Sequence, residues 1–131
     1  MSVRIYIGPF ILFAIGSAAY AADPGDATAG KAYFTQTCRQ CHSAEPGDGG
    51  GEIGPSLIGL FGRPAGVGDA RFAYTKALTD SKLVWNLETL DRFLSDPATT
   101  VPGTTMALPV PGKKDRDDVI AYFQSLSGGA K

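Results

Sequence analysis

The sequence predicts an all-α domain in which a few helices are joined by long loops. Apolar residues recur at helical spacing near residue 30, over residues 87–94 and over residues 119–126. Glycine and proline, 17 and 9 in number, punctuate the segments between these helices and form no low-complexity tract. No stretch alternates apolar and polar residues as a half-buried strand would. The 131 residues are enough for one domain.

A short motif, Cys38-Arg39-Gln40-Cys41-His42, carries the chemistry of the chain. Residues three apart project from the same face of a helical turn, so both thiols can reach the two vinyl groups of one porphyrin. The histidine follows at once, and a neutral imidazole is a good axial ligand for iron. The spacing is therefore typical of covalent haem attachment.

Two alternatives to haem attachment are a thiol–disulfide motif and half of a zinc site. A thioredoxin-like motif needs a βαβ context, and a structural zinc site needs four cysteine or histidine ligands. The chain has two cysteines and one histidine, which suits neither. We therefore predict one haem c, bound covalently through Cys38 and Cys41, with the long loops wrapped around it.

The N-terminal residues have the layout of a secretory signal peptide. Arg4 precedes an apolar run over residues 5–19, and the small residues Ala19-Tyr20-Ala21 form an A-x-A cleavage site. A retained membrane anchor or an apolar core helix are the alternatives, but the run is short for a span of about twenty residues. We predict a cleaved signal peptide at residues 1–21 and a mature domain at residues 22–131.

Export to the periplasm suits the cofactor, because bacteria attach haem to thiols outside the cytoplasmic membrane. In an oxidising compartment the two cysteines would form a disulfide unless haem consumed both. The chain has 12 basic and 13 acidic side chains, and cleavage removes only Arg4, which leaves a net charge of −2 before haem is added. This balance excludes the basic surface that a nucleic-acid partner requires.

The first helix of the mature chain is expected from a cap at Asp26 or Thr28 to about Thr37. Gly30 lies in its interior, where glycine is unfavourable by roughly 1 kcal/mol relative to alanine. We expect another helix to approach closely there, and a merely tolerated glycine is the alternative. After the haem motif, the glycine-rich residues 45–51 predict a flexible surface loop.

Three more helices are expected further along the chain. A short helix lies near residues 76–81, and a second is capped by Asn86 and ended by Pro97. The last helix opens at Asp115 and is closed by the glycines at 128–129.

Met106 is the candidate for the second axial ligand. After signal cleavage it is the only methionine and His42 the only histidine, which excludes a bis-histidine haem within one chain. Met106 lies in residues 99–111, which are predicted to be extended and fixed by prolines. A flexible gap filler in the core is the alternative. A thioether is a soft, uncharged ligand that favours ferrous iron and raises the reduction potential.

Together these motifs resemble the class I cytochromes c, specifically the bacterial cytochrome c2 and mitochondrial-type branch. Besides the haem motif, the resemblance covers segments along the whole mature chain: residues 30–34, 54–63, 72–75, 85, 89–90, 102–106 and 120–122. It implies the small cytochrome c fold, in which few helices and long loops surround one covalent haem. It also implies a monomer in which Gly30 and Phe34 meet Val119 and Tyr122 where the first and last helices cross.

The resemblance further implies which residues surround the haem. The carbonyl of Pro55 would accept a hydrogen bond from the second ring nitrogen of His42 and fix the ring. The buried propionates would be surrounded by Arg63, Tyr74, Thr75, Trp85 and Thr104. A propionate out of water needs a cation and hydrogen-bond donors, which these residues supply. The alternatives are an exposed Arg63, a Tyr74 in the core and a Trp85 that only packs.

The chain departs from the family pattern at the methionine side and on its surface. Phe93 occupies the position of a tyrosine that usually bonds the methionine sulfur, so that hydrogen bond should be absent. Many relatives carry lysines around the haem edge, whereas Lys113 and Lys114 are the local basic pair here. We therefore expect weak salt dependence and an apolar partner contact through three residues, which are Ala107, Leu108 and Val110.

An iron saturated by His42 and Met106 leaves no open position for a substrate. The sequence thus predicts a periplasmic one-electron carrier and not an enzyme, with no catalytic residues and no membrane embedding after cleavage. The resemblance implies a quinol–cytochrome c reductase, a terminal oxidase, a photosynthetic reaction centre or a periplasmic dehydrogenase as partners. The alternatives are a ligand-binding or peroxidase-like protein with a labile sixth site, a subunit dedicated to one dehydrogenase, and a thiol–disulfide oxidoreductase.

Overall fold

The structure is a computed structural model that describes residues 25–51 and 53–128. Within these ranges it contains five α-helices: α1 (Ala27–Tyr33), α2 (Lys76–Asp80), α3 (Leu87–Ser95), α4 (Pro97–Thr100) and α5 (Lys113–Ser127). Among the described residues, β-structure is limited to one isolated antiparallel bridge between Pro64 and Val84. The predicted all-α class is confirmed. The predicted signal peptide at residues 1–21 lies outside the described residues.

Helix α1 starts where the sequence predicts and ends in a different geometry. The carboxylate of Asp26 caps it by accepting hydrogen bonds from the backbone N–H of Thr28 and Ala29. Instead of continuing to Thr37, the α-helix passes at Phe34–Cys38 into a π-helical turn, in which the N–H of Arg39 donates to the carbonyl of Phe34 at 2.9 Å. Such turns insert a residue into helical spacing and are frequent at functional sites.

Helices α1 and α5 cross in contact, as predicted. A Cβ at Gly30 would lie 1.9 Å from the backbone oxygen of Asp118, so only glycine permits this approach. Phe34 is 1% exposed, and its ring lies 5.7 Å from that of Tyr122 and 5.9 Å from that of Phe123. Close backbone approach and aromatic packing together hold the two ends of the domain to each other.

The predicted helix that begins at Asn86 is present as α3. The side chains of Asn86 and Thr89 form a reciprocal capping box, and α3 buries Leu90, Phe93 and Leu94. Pro97 ends this helix and also begins α4, whose last two residues, Thr99 and Thr100, fall in the segment 99–111 that was predicted to be extended. Proline suits the first helical position because its missing N–H would have no intrahelical partner there.

Helix α5 begins at Lys113, two residues earlier than predicted, after Gly112 as its N-cap. The glycine-rich loop after the haem motif is better held than the prediction of flexibility implies. The carboxylate of Asp48 accepts hydrogen bonds from the N–H of Ala44, Glu45 and Gly50 at 2.7, 3.1 and 2.8 Å. In the part of the chain that the structure describes, no helix has both the length and the apolar character to cross a membrane.

Candidate haem site

A cavity of about 340 Å³ lies at the centre of the described structure. All ten residues that the sequence analysis singled out for the cofactor line it: Cys38, Cys41, His42, Pro55, Arg63, Tyr74, Thr75, Trp85, Thr104 and Met106. They come from the π turn, the loops and the start of α2, across almost seventy residues of sequence. Folding therefore brings together side chains that the sequence keeps far apart.

The motif Cys38 to His42 forms a tight turn at one wall of the cavity. The backbone N–H groups of Cys41 and His42 both donate to the carbonyl of Cys38, each at 3.0 Å. Both cysteines are half-buried, and no disulfide joins them. This turn presents two thiols and an imidazole to the same space.

Cys38 does not have the character of the attacking thiol of a thiol–disulfide catalyst. Burial, with a smaller contribution from nearby Cys41, raises the pKa of the Cys38 thiol to about 11. A catalytic cysteine needs the opposite shift, because the thiolate is the attacking species. The site thus disfavours the thiol–disulfide alternative.

The ring of His42 is held on two sides. Its Nδ1 lies 2.7 Å from the carbonyl oxygen of Pro55, to which Nδ1–H donates. Gly54 packs against the ring, since a Cβ there would lie 2.3 Å from Cε1 of His42. Burial lowers the pKa of His42, and the bond to Pro55 opposes that shift. A neutral imidazole with Nδ1 occupied leaves Nε2 for a metal.

Met106 lies in the loop between α4 and α5. Its N–H donates to Oγ1 of Thr104 at 3.3 Å, and the N–H of Thr104 donates to the carbonyl of Val101 at 3.0 Å. The side chain of Met106 is half-buried and packs against the core. The loop therefore places a thioether on the same cavity as the imidazole of His42.

Arg63 and Trp85 lie side by side because their backbones pair. The N–H of Trp85 donates to the carbonyl of Arg63 at 3.0 Å, beside the bridge between Pro64 and Val84. The guanidinium of Arg63 donates to the carbonyls of Ile58 at 2.8 Å and Ser56 at 3.1 Å. Its Nε is the buried side-chain polar atom that lacks a partner among the described residues.

Tyr74 and Thr75 complete this side of the cavity. The hydroxyl of Tyr74 donates to the carbonyl of Val67 at 3.0 Å and accepts from the N–H of Asp69 at 3.1 Å. Oγ1 of Thr75 caps α2 by accepting from the N–H of Leu78 at 3.2 Å. Because that bond uses only a lone pair, the hydroxyl proton of Thr75 remains available for an acceptor in the cavity.

Comparison with known proteins assigns the whole domain. The cytochrome c family profile matches residues 27–127, which span the haem motif, the cavity and all five helices. The chain belongs to the cytochrome c family. Its sequence is 42% identical to cytochrome c of Euglena viridis over 103 residues, which cover 78% of this chain and 98% of that protein.

Two further relatives agree. Cytochrome c of Tetrahymena pyriformis is 43% identical over 103 residues, covering 78% of this chain and 90% of that one. The solved structure of cytochrome cH from Methylobacterium extorquens superposes with a TM-score of 0.68 at 39% identity, over 77% of this chain and 99% of that one. The predicted class I cytochrome c fold is confirmed. Members of this family are electron carriers with covalent haem c, and this chain has the two cysteines that attachment requires.

The cavity of this cytochrome c fits haem. Its wall is mainly apolar, as a porphyrin requires, and two thiols, an imidazole and a thioether line it. The unpartnered buried Nε of Arg63 is a donor that needs an acceptor, which a propionate would provide. These residues match the chemistry of the group in both its apolar and its anionic parts.

Some functional features were missed or wrongly placed from the sequence. Ile53, Val67 and Leu78 also line the cavity. For Ile53 and Val67 the available signal was an isolated apolar residue in a glycine-rich loop, whereas Leu78 lies in α2. Val110 was predicted to contact a partner, but it is 3% exposed and belongs to the core. The backbone N–H of Val110 donates to the carbonyl of Leu94 in α3, and this bond holds the segment that carries Val110 against the core.

Proposed function

We propose that this cytochrome c is a periplasmic one-electron carrier whose haem iron is held by His42 and Met106. The observation that carries the proposal is that the imidazole and the thioether line one apolar cavity next to the two cysteines. The haem, when bound, supplies an iron that alternates between Fe(III) and Fe(II). Two strong side-chain ligands leave no position for a substrate, so no catalytic residue is required.

The residues of the chain would hold, orient and shield that group. Cys38 and Cys41 would attach it, and Pro55 would keep the ring of His42 in one orientation through the 2.7 Å hydrogen bond. The propionates would be bound by the cation Arg63 and by the donors Thr75, Trp85 and Thr104. Tyr74 would join them only by turning its hydroxyl away from the carbonyl of Val67, to which it donates in this structure. Exclusion of water by the apolar wall would reduce the reorganisation that each electron transfer requires.

Spectra of the holoprotein test the axial ligands. We would produce the chain with a haem c maturation system and record oxidised and reduced visible spectra. A weak red-end sulfur-to-iron band, lost on reduction, is expected for the wild type. Met106→Ala should abolish that band and allow carbon monoxide to bind the reduced form. Leu108→Ala, a change to another cavity-lining residue of the same loop, should do neither.

A high-spin wild-type spectrum that shifts with carbon monoxide would instead support a ligand-binding or peroxidase-like function.

Periplasmic electron carriers exchange electrons with membrane or periplasmic complexes. We propose a quinol–cytochrome c reductase or a periplasmic dehydrogenase as electron donor, and a terminal oxidase or a photosynthetic reaction centre as electron acceptor. Co-purification with a single dehydrogenase would indicate a dedicated subunit.

Processing is tested by the intact mass of the periplasmic protein. We propose that residues 1–21 are removed, so that the mature monomer starts at Ala22 and carries one haem. A mass that includes residues 1–21, found in the membrane fraction, would support a retained anchor instead.

A further inference from the structure

The loop that carries Met106 is anchored at two buried valines. Val101, at its start, is 2% exposed and Val110, near its end, is 3% exposed. Leu108, between them, is 63% exposed. The N–H of Val110 donates to the carbonyl of Leu94 in α3 at 2.7 Å. The segment around Met106 is thus a surface loop that depends on its ends for its position.

Arg116 of α5 holds the same end of the loop from the other side. It is 8% exposed, which is unusual for a cation. Its Nη1 donates to the carbonyls of Val110 and Pro111, both at 2.8 Å, and its Nε donates to the carboxylate of Asp91 at 2.8 Å. One buried side chain therefore joins α3, α5 and the last residues of the loop.

We propose that Arg116 is a positioning residue that keeps Met106 on the iron, an inference that rests on the His/Met ligation proposed above. A thioether is uncharged, so long-range charge attraction does not draw it to the metal, and the loop must present it. Each bond from a guanidinium to a buried carbonyl is charge-assisted, and its loss leaves that carbonyl without its donor. Loss of Arg116 would let the loop open at its α5 end.

Cyanide binding to the ferric holoprotein measures this opening, because cyanide can bind only when Met106 has left the iron. Arg116→Met keeps most of the side-chain volume and removes every donor. It should raise the rate of cyanide binding by about tenfold or more. Lys113→Met is the matched control, since Lys113 lies 3.8 Å from the same Asp91 but is largely exposed. It should leave the rate within about twofold of the wild type.

The readouts separate a local role from a structural one. Far-UV circular dichroism and urea unfolding should show that Arg116→Met is folded where its cyanide rate is measured. Arg116→Gln, which retains a shorter neutral donor, should give a smaller increase. A wild-type rate in either folded variant, an equal increase in Lys113→Met, or failure of both Arg116 variants to fold would overturn the proposal. Absence of the sulfur-to-iron band in the wild type would instead overturn the proposed ligation.

Discussion

At the scale of single residues, Gly54 sets the space that the ring of His42 can occupy. Gly54 lies shortly after the glycine-rich loop of residues 45–51, and its N–H donates to the carbonyl of Cys41 at 2.9 Å. Its missing side chain lets the backbone lie flat against the imidazole. The orientation of an axial ligand thus depends on a residue that supplies no ligand atom.

We expect Gly54→Ala to displace the ring of His42. The new Cβ would lie 2.3 Å from Cε1, which is closer than a van der Waals contact allows. Overpacking of this kind costs about 1–3 kcal/mol of unfolding free energy. Urea unfolding of the holoprotein measures the loss, and electron paramagnetic resonance of the ferric form reports the changed ligand geometry. Gly128→Ala is the control, because its φ is −77° and the nearest atom to its Cβ position is the carbonyl oxygen of Ser125 at 3.9 Å, an ordinary contact. An unchanged resonance in Gly54→Ala would contradict this account.

Asp118 makes stability depend on pH. The hydrogen bond from Lys114, and then that from the N–H of Asp26, hold the pKa of this carboxyl below its usual range. The native state therefore binds fewer protons than the unfolded state, and the stabilisation is complete above the ordinary carboxyl pKa near 3.9. It is lost as the pH falls through the lowered pKa.

Asp118→Asn should accordingly reduce the unfolding free energy by about 1–2 kcal/mol at pH 7. The difference from the wild type should shrink as the pH falls below the ordinary carboxyl value and through the lowered pKa of Asp118, because the wild-type carboxyl is then protonated in the folded state as well. Urea titrations over a pH series measure both effects. Asp115→Asn removes the same charge from the first turn of the same helix and serves as the control. A difference that is independent of pH would mean that packing, rather than charge, explains the loss.

At the scale of helices, the crossing of α1 and α5 is where backbone geometry constrains the sequence most. We expect Gly30→Ala to destabilise the holoprotein by about 1–3 kcal/mol, because its Cβ would meet the backbone of Asp118. Ala32→Ser, at an exposed position of the same helix, should change the midpoint of urea unfolding far less. Helix propensity alone would make Gly30→Ala more stable than the wild type, so a gain in unfolding free energy would contradict the role of the crossing.

Helices with local signals could be predicted from the sequence, and those that depend on tertiary contacts could not. Asn86 caps α3 because its side chain accepts a hydrogen bond from the N–H of Thr89, three residues further along. The apolar stripe of α3 begins immediately after this cap. The π turn at Phe34–Cys38 has no local signal, since its residues are compatible with an α-helix. Helix α4 starts at Pro97, the same proline that ends α3. A proline is compatible with the end of one helix and with the start of the next, so the residue alone does not predict which of the two occurs.

At the scale of the whole molecule, the candidate site shows the same division. The cysteines and His42 are adjacent in sequence, so their shared role could be predicted from spacing alone. The partners of Arg63 are carbonyls of a loop whose path no periodicity predicts. Val110 is buried because α3 and α5 both hold it, and such tertiary contacts have no local signal in the sequence. The prediction that Val110 contacts a partner was therefore wrong.

The surface charges are paired locally. Carboxylates lie beside four lysines in the described ranges: Glu45 by Lys31, Asp80 by Lys76, Asp117 by Lys113 and Asp118 by Lys114. The rim of the cavity includes Ile53, Val67 and Leu108, which are 75%, 44% and 63% exposed. An apolar contact through Ala107 and Leu108 remains our prediction for partner docking, and the exposure of Ile53 and Val67 extends it to these two residues.

Association with a redox partner should therefore respond weakly to salt. Electrostatically steered pairs lose rate steeply with ionic strength, whereas we expect a change of less than about threefold between low and physiological salt. Stopped-flow oxidation of the reduced protein over a series of salt concentrations measures how the rate depends on salt. An anionic and a cationic metal complex of similar size stand in for partners of either charge, alongside the protein partner itself. Leu108→Asp should slow the reaction with the protein partner. A steep fall in rate with added salt for the protein partner would refute the prediction.

The crossing of α1 and α5 also affects the order in which the domain matures. Helix α1 lies directly before the haem motif, yet its packing partner lies some ninety residues later, at the end of the described chain. Contacts so distant in sequence form late in folding, because the intervening loop must first close. Until α5 has formed, α1 has no surface to pack on, and Cys38 and Cys41 stay accessible. The topology thus favours attachment of haem before the domain closes around Cys38 and Cys41.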